Sequence, residues 1–99
     1  MKTYILTKSP VSGKRFRIDM NDHHHDFGSD MGKTYVSGRT DKEKLAWIAR
    51  HKTNPNWDKF HSGIFMSRSL LWGPHKSLVK NIKEYEKKYN VKIVNRTNA

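Results

Sequence analysis

Twenty lysines and arginines against nine acids leave this 99-residue chain at a formal charge of +11, a surplus that must stay in water wherever the backbone goes. Only 34% of the residues are hydrophobic, so each element can bury one stripe or one face and no more. Aromatic residues, 11% of the chain, must then carry much of a thin core. A chain of this size buries about 60–70% of the surface its unfolded form exposes, which leaves room for one small domain. Size excludes the dinucleotide fold and the TIM barrel. Zero cysteines remove disulfides, thiol nucleophiles, Fe–S clusters and cysteine-held zinc, and point to a fold made in a reducing compartment. No run approaches the about 20 apolar residues of a membrane span, and Met1 to Lys8 holds no apolar stretch of signal-peptide length. The expectation is a protein that is not secreted.

A pI near 10.1 on so small a domain calls for a polyanionic partner. Nucleic acid is the first candidate and an anionic membrane surface the second. The surplus is uneven. Residues 1–40 carry seven Lys/Arg and four Asp, whereas residues 41–99 carry thirteen Lys/Arg and five acids. A binding footprint is therefore expected in the C-terminal half.

Thr3 to Thr7 and Arg15 to Met20 read as strands, the second alternating Phe16, Ile18, Met20 against Arg15, Arg17, Asp19. Ser9 to Lys14 has the proline, serine and glycine of a hairpin loop, and His24 to Phe27 can return as a third strand after Asn21-Asp22. An extended stretch is also expected at Thr34-Tyr35-Val36. Thr40 and Glu43 have capping-box spacing, opening a helix that carries Leu45, Ile48 and Ala49 and ends near His51. Ile64 to Trp72 forms a second helical piece, stopped by Gly73-Pro74. In the last helix Ser77 is the N-cap, Leu78, Ile82, Tyr85 and Tyr89 make an apolar face, and Asn90 closes the end. Val91 to Val94 is a final strand at the edge of the meander. The expected core is Ile5, Phe16, Ile18, Leu45, Trp47, Ile48, Leu70, Leu71, Trp72, Leu78, Ile82, Tyr85 and Ile93.

Lys76, Lys80, Lys83 and Lys87 repeat the spacing of that apolar face about 200° around the helix, and Lys88, Lys92 and Arg96 add to them. Lysines at this pitch suit phosphates as point charges and do not read base edges. Trp47, Trp57 and Trp72 are interleaved with Arg50, Lys52, Lys59 and Arg68, a mixture suited to stacking bases and holding phosphates. Trp47 and Trp72 are expected in the core, while Trp57, in a polar loop, stands open between hydrophobic lid and stacking platform. In an extended strand the run Asp22-His23-His24-His25-Asp26 puts His23 and His25 on one side and Asp22, His24 and Asp26 on the other. Neither side offers three ligands with an open position, so no metal site is expected. His51, Asn54 and His61 match in type the His–Asn–His set of small metal-dependent nucleases, but their spacing is too compressed. Asp58 is also the only acid from Lys44 to Asn81. No nucleophile elbow and no Walker-type glycine loop is present, so no enzyme and no cofactor are expected.

Tyr4-Ile5-Leu6-Thr7-Lys8-Ser9, Lys14-Arg15-Phe16, Phe27-Gly28, Ala49-Arg50-His51-Lys52, Asn56-Trp57, Ser62-Gly63-Ile64 and Ser67-Arg68-Ser69-Leu70-Leu71-Trp72 follow one another in the chain. This order resembles a family of small basic proteins of unknown function encoded by large double-stranded DNA viruses of eukaryotes. The resemblance spans residues 3 to about 94. The chain departs from the family pattern at Met31 to Tyr35 and is shorter after Ser62-Gly63. What the resemblance implies is a viral source and a place in the virion or the infected cell, without an activity or site residues.

The fold expected is α+β: a three- to four-stranded antiparallel sheet covered by two or three helices, one domain over residues 1–94 with a polar tail at 95–99. The function expected is non-enzymatic, largely sequence-independent nucleic-acid binding, DNA before RNA, in genome packaging or condensation. Lys76, Lys80, Lys83, Lys87 and Lys88 would hold the phosphate backbone, and Arg50, Lys52, Lys59 and Arg68 a second basic cluster with Trp57 as stacking partner. The alternative is a structural virion protein whose basic face docks on an acidic capsid or core protein. An exposed edge strand would also allow a homodimer.

Overall fold

A computed structural model describes residues 1–98; Ala99, the last residue of the expected tail, lies outside the described residues. The order is β1 (Lys2–Lys8), β2 (Lys14–Asp19), β3 (His24–Ser29), α1 (Asp41–His51), α2 (Gly63–Met66), a π-helical turn at Ser67–Leu71, α3 (Leu78–Tyr89) and β4 (Val91–Asn95). The fold is α+β.

The four strands form one sheet in the order β3-β2-β1-β4. β1 pairs antiparallel with β2, setting Leu6 opposite Ile18, and β2 pairs antiparallel with β3, setting Phe16 opposite Phe27. β4 joins the free edge of β1 in parallel, Ile93 beside Tyr4, so the sheet is mixed and not the all-antiparallel sheet expected. The reason is connectivity. β4 is reached through α3, and a crossover of that length returns the chain in the same direction, where a tight turn would reverse it. Asn90 makes the join in the left-handed conformation, φ +54°, as its side chain permits.

Alternation decides what each face of the sheet does. Tyr4, Leu6, Ile18, Met20, Phe27, Val91 and Ile93 point to one side and are buried under the helices with Phe65, Met66, Leu70, Leu71, Trp72, Leu78, Ile82 and Tyr85. The other side carries Thr3, Ile5, Thr7, Arg15, Arg17, Lys92 and Val94, all at least partly exposed. Ile5 is thus not core, and Phe16 and Ile48 are only half-buried.

Helix boundaries follow their caps. The Thr40 hydroxyl accepts from the Glu43 amide, and the Glu43 carboxylate accepts from the Thr40 amide at 3.0 Å, the expected capping box. Ser77 and Ser62 cap α3 and α2 by the hydroxyl alone, accepting from the Lys80 and Phe65 amides. Leu45 is 66% exposed, against the expectation that it is core. The helix turns Trp47 inward instead, stacked on Trp72 at 4.8 Å between ring centres, and Leu45 lies about 160° around the axis from it. The larger ring pair wins the helix orientation.

Two further departures are local. Thr34 to Arg39 is a turn and not an extended stretch, closed by Ser37 N–H and Arg39 N–H donating to the Thr34 carbonyl at 3.1 and 3.0 Å. β4 runs to Asn95, and Thr97 is 4% exposed, so the chain stays packed past residue 94. No helix of the described residues is long and apolar enough to cross a membrane.

Candidate nucleic-acid interface

α3 is an amphipathic helix whose inner face is fixed by packing. Leu78, Ile82 and Tyr85 are buried on it, and so is Asn81, at 0% exposure. The Asn81 side chain donates to the carbonyls of Leu70 and His75 and accepts from the His75 amide, each at 2.9 Å. It thereby ties the loop ahead of α3 to the helix. With the inner face so determined, Lys80, Lys83 and Lys87 must face outward, and all three are exposed. Seven residues at about 1.5 Å rise put Lys80 and Lys87 about 10 Å apart along the axis, the axial span of about three phosphates of one DNA strand.

The carboxylates nearest in sequence do not neutralise this ridge. The Glu86 carboxylate accepts from the Ile93 amide at 2.8 Å, and Glu84 lies 3.6 Å from the His75 ring. Among the described residues, ion pairs with carboxylates engage Arg17, Arg39 and Arg68 and no lysine.

The ridge has two links to the rest of the surface. Lys76, in the preceding loop, has its Nζ 5.1 Å from the Tyr35 ring centre, where Lys44 also lies at 4.4 Å. Lys88 sits a quarter-turn off the ridge with its Nζ 5.5 Å from the Tyr89 ring, which packs at 4.7 Å on Phe60. Phe60 follows Lys59 in the loop and is 49% exposed. An accessible aromatic ring that follows Lys59 in sequence and packs on the Tyr89 ring over which Lys88 lies is therefore present, but it is not a tryptophan.

The second basic cluster divides. Arg50, Lys52 and Lys59 are exposed. Arg68 turns inward instead. Its guanidinium lies 4.7 Å from the Trp57 ring and 5.0 Å from Phe65, and donates to the Trp57 carbonyl and to Asp58 at 3.0 and 2.9 Å. With these donors committed, Arg68 acts as a clamp on the 57–58 loop, and its place in a phosphate-binding cluster is corrected accordingly. Trp57 is half-buried against the core, 5.8 Å from Trp47, with the Arg68 guanidinium against its ring. The structure packs it as a lid, one of the two roles left open for it, and the exposed aromatic ring of this loop is Phe60. Phe60 was legible only as an aromatic between two basic residues, Lys59 and His61.

His61 and the histidines of the 22–26 run lie off the outer face of α3. His61 accepts and donates between the hydroxyls of Tyr4, at 3.2 Å, and Tyr85. Burial, helped by Lys2, lowers its pKa to about 4, so it is neutral at ordinary pH. Burial also raises the Tyr85 pKa. In the 22–26 run, Asp22 bonds its neighbour His23 at 2.7 Å, while Asp26 is held by Arg17 at 3.0 and 3.2 Å and by the Ser9 hydroxyl at 2.6 Å. Those bonds lower the Asp26 pKa, the Arg17 pair first. No group of three His, Asp or Glu among the described residues is placed to hold a metal ion.

A cleft of about 620 Å³ opens between α1, the ends of β2 and β3, the 32–34 loop and the start of the π turn. Lys14, Lys33 and Arg50 lie along it, with Trp47 and His51 in its wall. Compared with known proteins, the chain matches no family model, no curated protein and no solved structure.

Proposed function

We propose that this chain is a non-enzymatic, largely sequence-independent nucleic-acid-binding protein that holds the phosphate backbone on the outer face of α3. On the resemblance noted above, it would serve a large DNA virus in genome packaging or condensation. One observation carries the reading. Lys80, Lys83 and Lys87 form an exposed ridge that no carboxylate of the described residues pairs with, while Glu84 and Glu86 are directed to His75 and Ile93. A ridge of unpaired cations on a rigid helix attracts a polyanion over several phosphates at once, and lysines do so without reading base edges. Lys76 precedes it in the loop, and Lys88 lies a quarter-turn to its side.

Filter binding with duplex DNA and with RNA tests this. Lys80→Glu with Lys83→Glu should abolish retention of both at moderate salt while the circular dichroism spectrum stays that of the parent. Retention unchanged by the double reversal, together with capture of an acidic protein from virions, would replace this reading with docking on a capsid or core protein.

A further inference from the structure

The cleft beside α1 is lined by no residue of α3, and its charges are arranged differently from those of the ridge. Two carboxylates stand in its wall, and both are already engaged: Asp26 by Arg17 and Ser9, and Glu43 by Arg39 at 2.5 Å and by the Thr40 amide at 3.0 Å. Lys14, which opens β2, Lys33, in the loop after β3, and Arg50, near the end of α1, pair with no carboxylate of the described residues. The cleft is therefore net cationic at its rim.

Its inner wall is aromatic and close to backbone. Trp47 lies 4.5 Å from the half-exposed His51 ring and 4.8 Å from Trp72. Gly28 lines the cleft at φ +78°, and a Cβ there would stand 2.7 Å from Leu71 Cδ1. Ser67 lines it too. It is 7% exposed, and its hydroxyl makes no hydrogen bond with any described residue. No buried side-chain oxygen or nitrogen of the described residues is left without a partner, so this hydroxyl is reached by solvent from the cleft and is free to bond a ligand there. Ser67 also begins the five-residue π turn, the kind of helix irregularity that recurs at binding sites.

An aromatic wall, one free hydroxyl open to the cleft and three unpaired cations at the rim match a ligand with a planar ring, a polar middle and an anionic end. The geometry points to a second binding site here, for one 5′-phosphorylated nucleoside: the base against His51 and Trp47, the sugar near Ser67, and the phosphate between Lys14 and Lys33. The volume suits one such unit, within the about 300–1,000 Å³ range of small-molecule sites. The site stands on the cleft alone and does not depend on the α3 ridge. Its ligand can come as a free nucleotide or as the 5′ end of a strand.

Tryptophan emission and calorimetry with adenosine 5′-monophosphate test it on the full chain, with adenosine and inorganic phosphate as comparisons. The nucleotide should change the emission and bind at least about tenfold tighter than either half alone. Lys14→Glu with Lys33→Glu should weaken it at least about tenfold, and Ser67→Ala about fivefold. Lys80→Glu with Lys83→Glu should leave it unchanged. A 5′-phosphorylated dinucleotide that competes marks the strand end as the source, and one that does not marks the free nucleotide. No binding at millimolar nucleotide would overturn the proposal. So would phosphate binding as tightly as the nucleotide, or a loss on the α3 reversal as large as that on the cleft reversal.

Discussion

Removing charge from the α3 ridge without reversing it gives the sharpest quantitative expectation. Lys80, Lys83 and Lys87 lie on one side of α3, exposed Lys76 precedes them in the loop, and none makes an ion pair with a carboxylate of the described residues, so each of the four can displace one counterion from DNA. Four neutralised phosphates predict that log K falls with log salt at a slope of about −3.6 on duplex, since each contributes about −0.9. Raising salt from about 50 to about 200 mM should then weaken binding about 150-fold. Lys80→Ala with Lys83→Ala should halve the slope to about −1.8 and reduce the same salt effect to about 12-fold. Alanine is a better helix former than lysine, and both side chains are exposed, so α3 should survive the change. Lys8→Ala with Lys42→Ala, also exposed but away from α3, is the control and should leave the slope unchanged. Fluorescence anisotropy across a salt series reads all three proteins. Equal slopes for the α3 pair and the control pair would refute the reasoning, because the charge would then act as a diffuse cloud and not as a ridge.

Four other outcomes follow from the packing. Asn81→Ala removes three hydrogen bonds and leaves two carbonyls and an amide unpaired. Stability should drop by at least about 3 kcal/mol, a fall in melting temperature of about 12 °C or more, read by thermal unfolding. Gly28→Ala should cost about 2–3 kcal/mol, because it adds the Leu71 clash to an unfavourable φ, whereas Gly13→Ala, at φ +86° in open space, should cost only about 1 kcal/mol. Phe60→Ala should weaken single-stranded DNA by about 1–3 kcal/mol with little effect on duplex, since its half-exposed ring follows Lys59 and packs on Tyr89.

The fourth concerns pH. His61 has its pKa lowered on folding from 6.5 to about 4, so between those values the unfolded chain binds more protons. Stability should be level above pH 6.5 and fall as the pH drops toward 4. The full shift corresponds to about 3 kcal/mol, which solvent at the half-exposed ring reduces to about 1–2 kcal/mol. His61→Asn, which tolerates the φ of +62° there, should flatten that part of the curve. Denaturant midpoints at several pH values measure it, and a parent protein with no slope in this window would contradict the burial account.

What could be read in the chain, and what could not, divides along a physical line. Caps are local, so Thr40, Glu43, Ser77 and Asn90 gave their helix ends correctly. Periodicity is local too, and the faces of β2 and α3 followed from it. The direction of β4 depends on the crossover that precedes it, which no residue of Val91 to Asn95 encodes. Leu45 looked as fit for the core as Ile48, until the pairing of Trp47 with Trp72, 25 residues on, set the rotation of α1. Asn81 reads as a polar residue on a helix, and only the loop it ties explains why it is buried. The lysine ridge was legible because it is the complement of an apolar face. The fates of Arg68, Trp57 and Phe60 were not, since they depend on where the 57–62 loop folds back.

Amide shift mapping of the labelled protein with a short duplex bears most directly on the central claim. The largest perturbations should run from Lys76 through Lys80, Lys83 and Lys87 to Lys88 and collapse on raising the salt. Perturbations centred on the open face of the sheet, at Thr3, Ile5, Lys92 and Val94, would contradict the account.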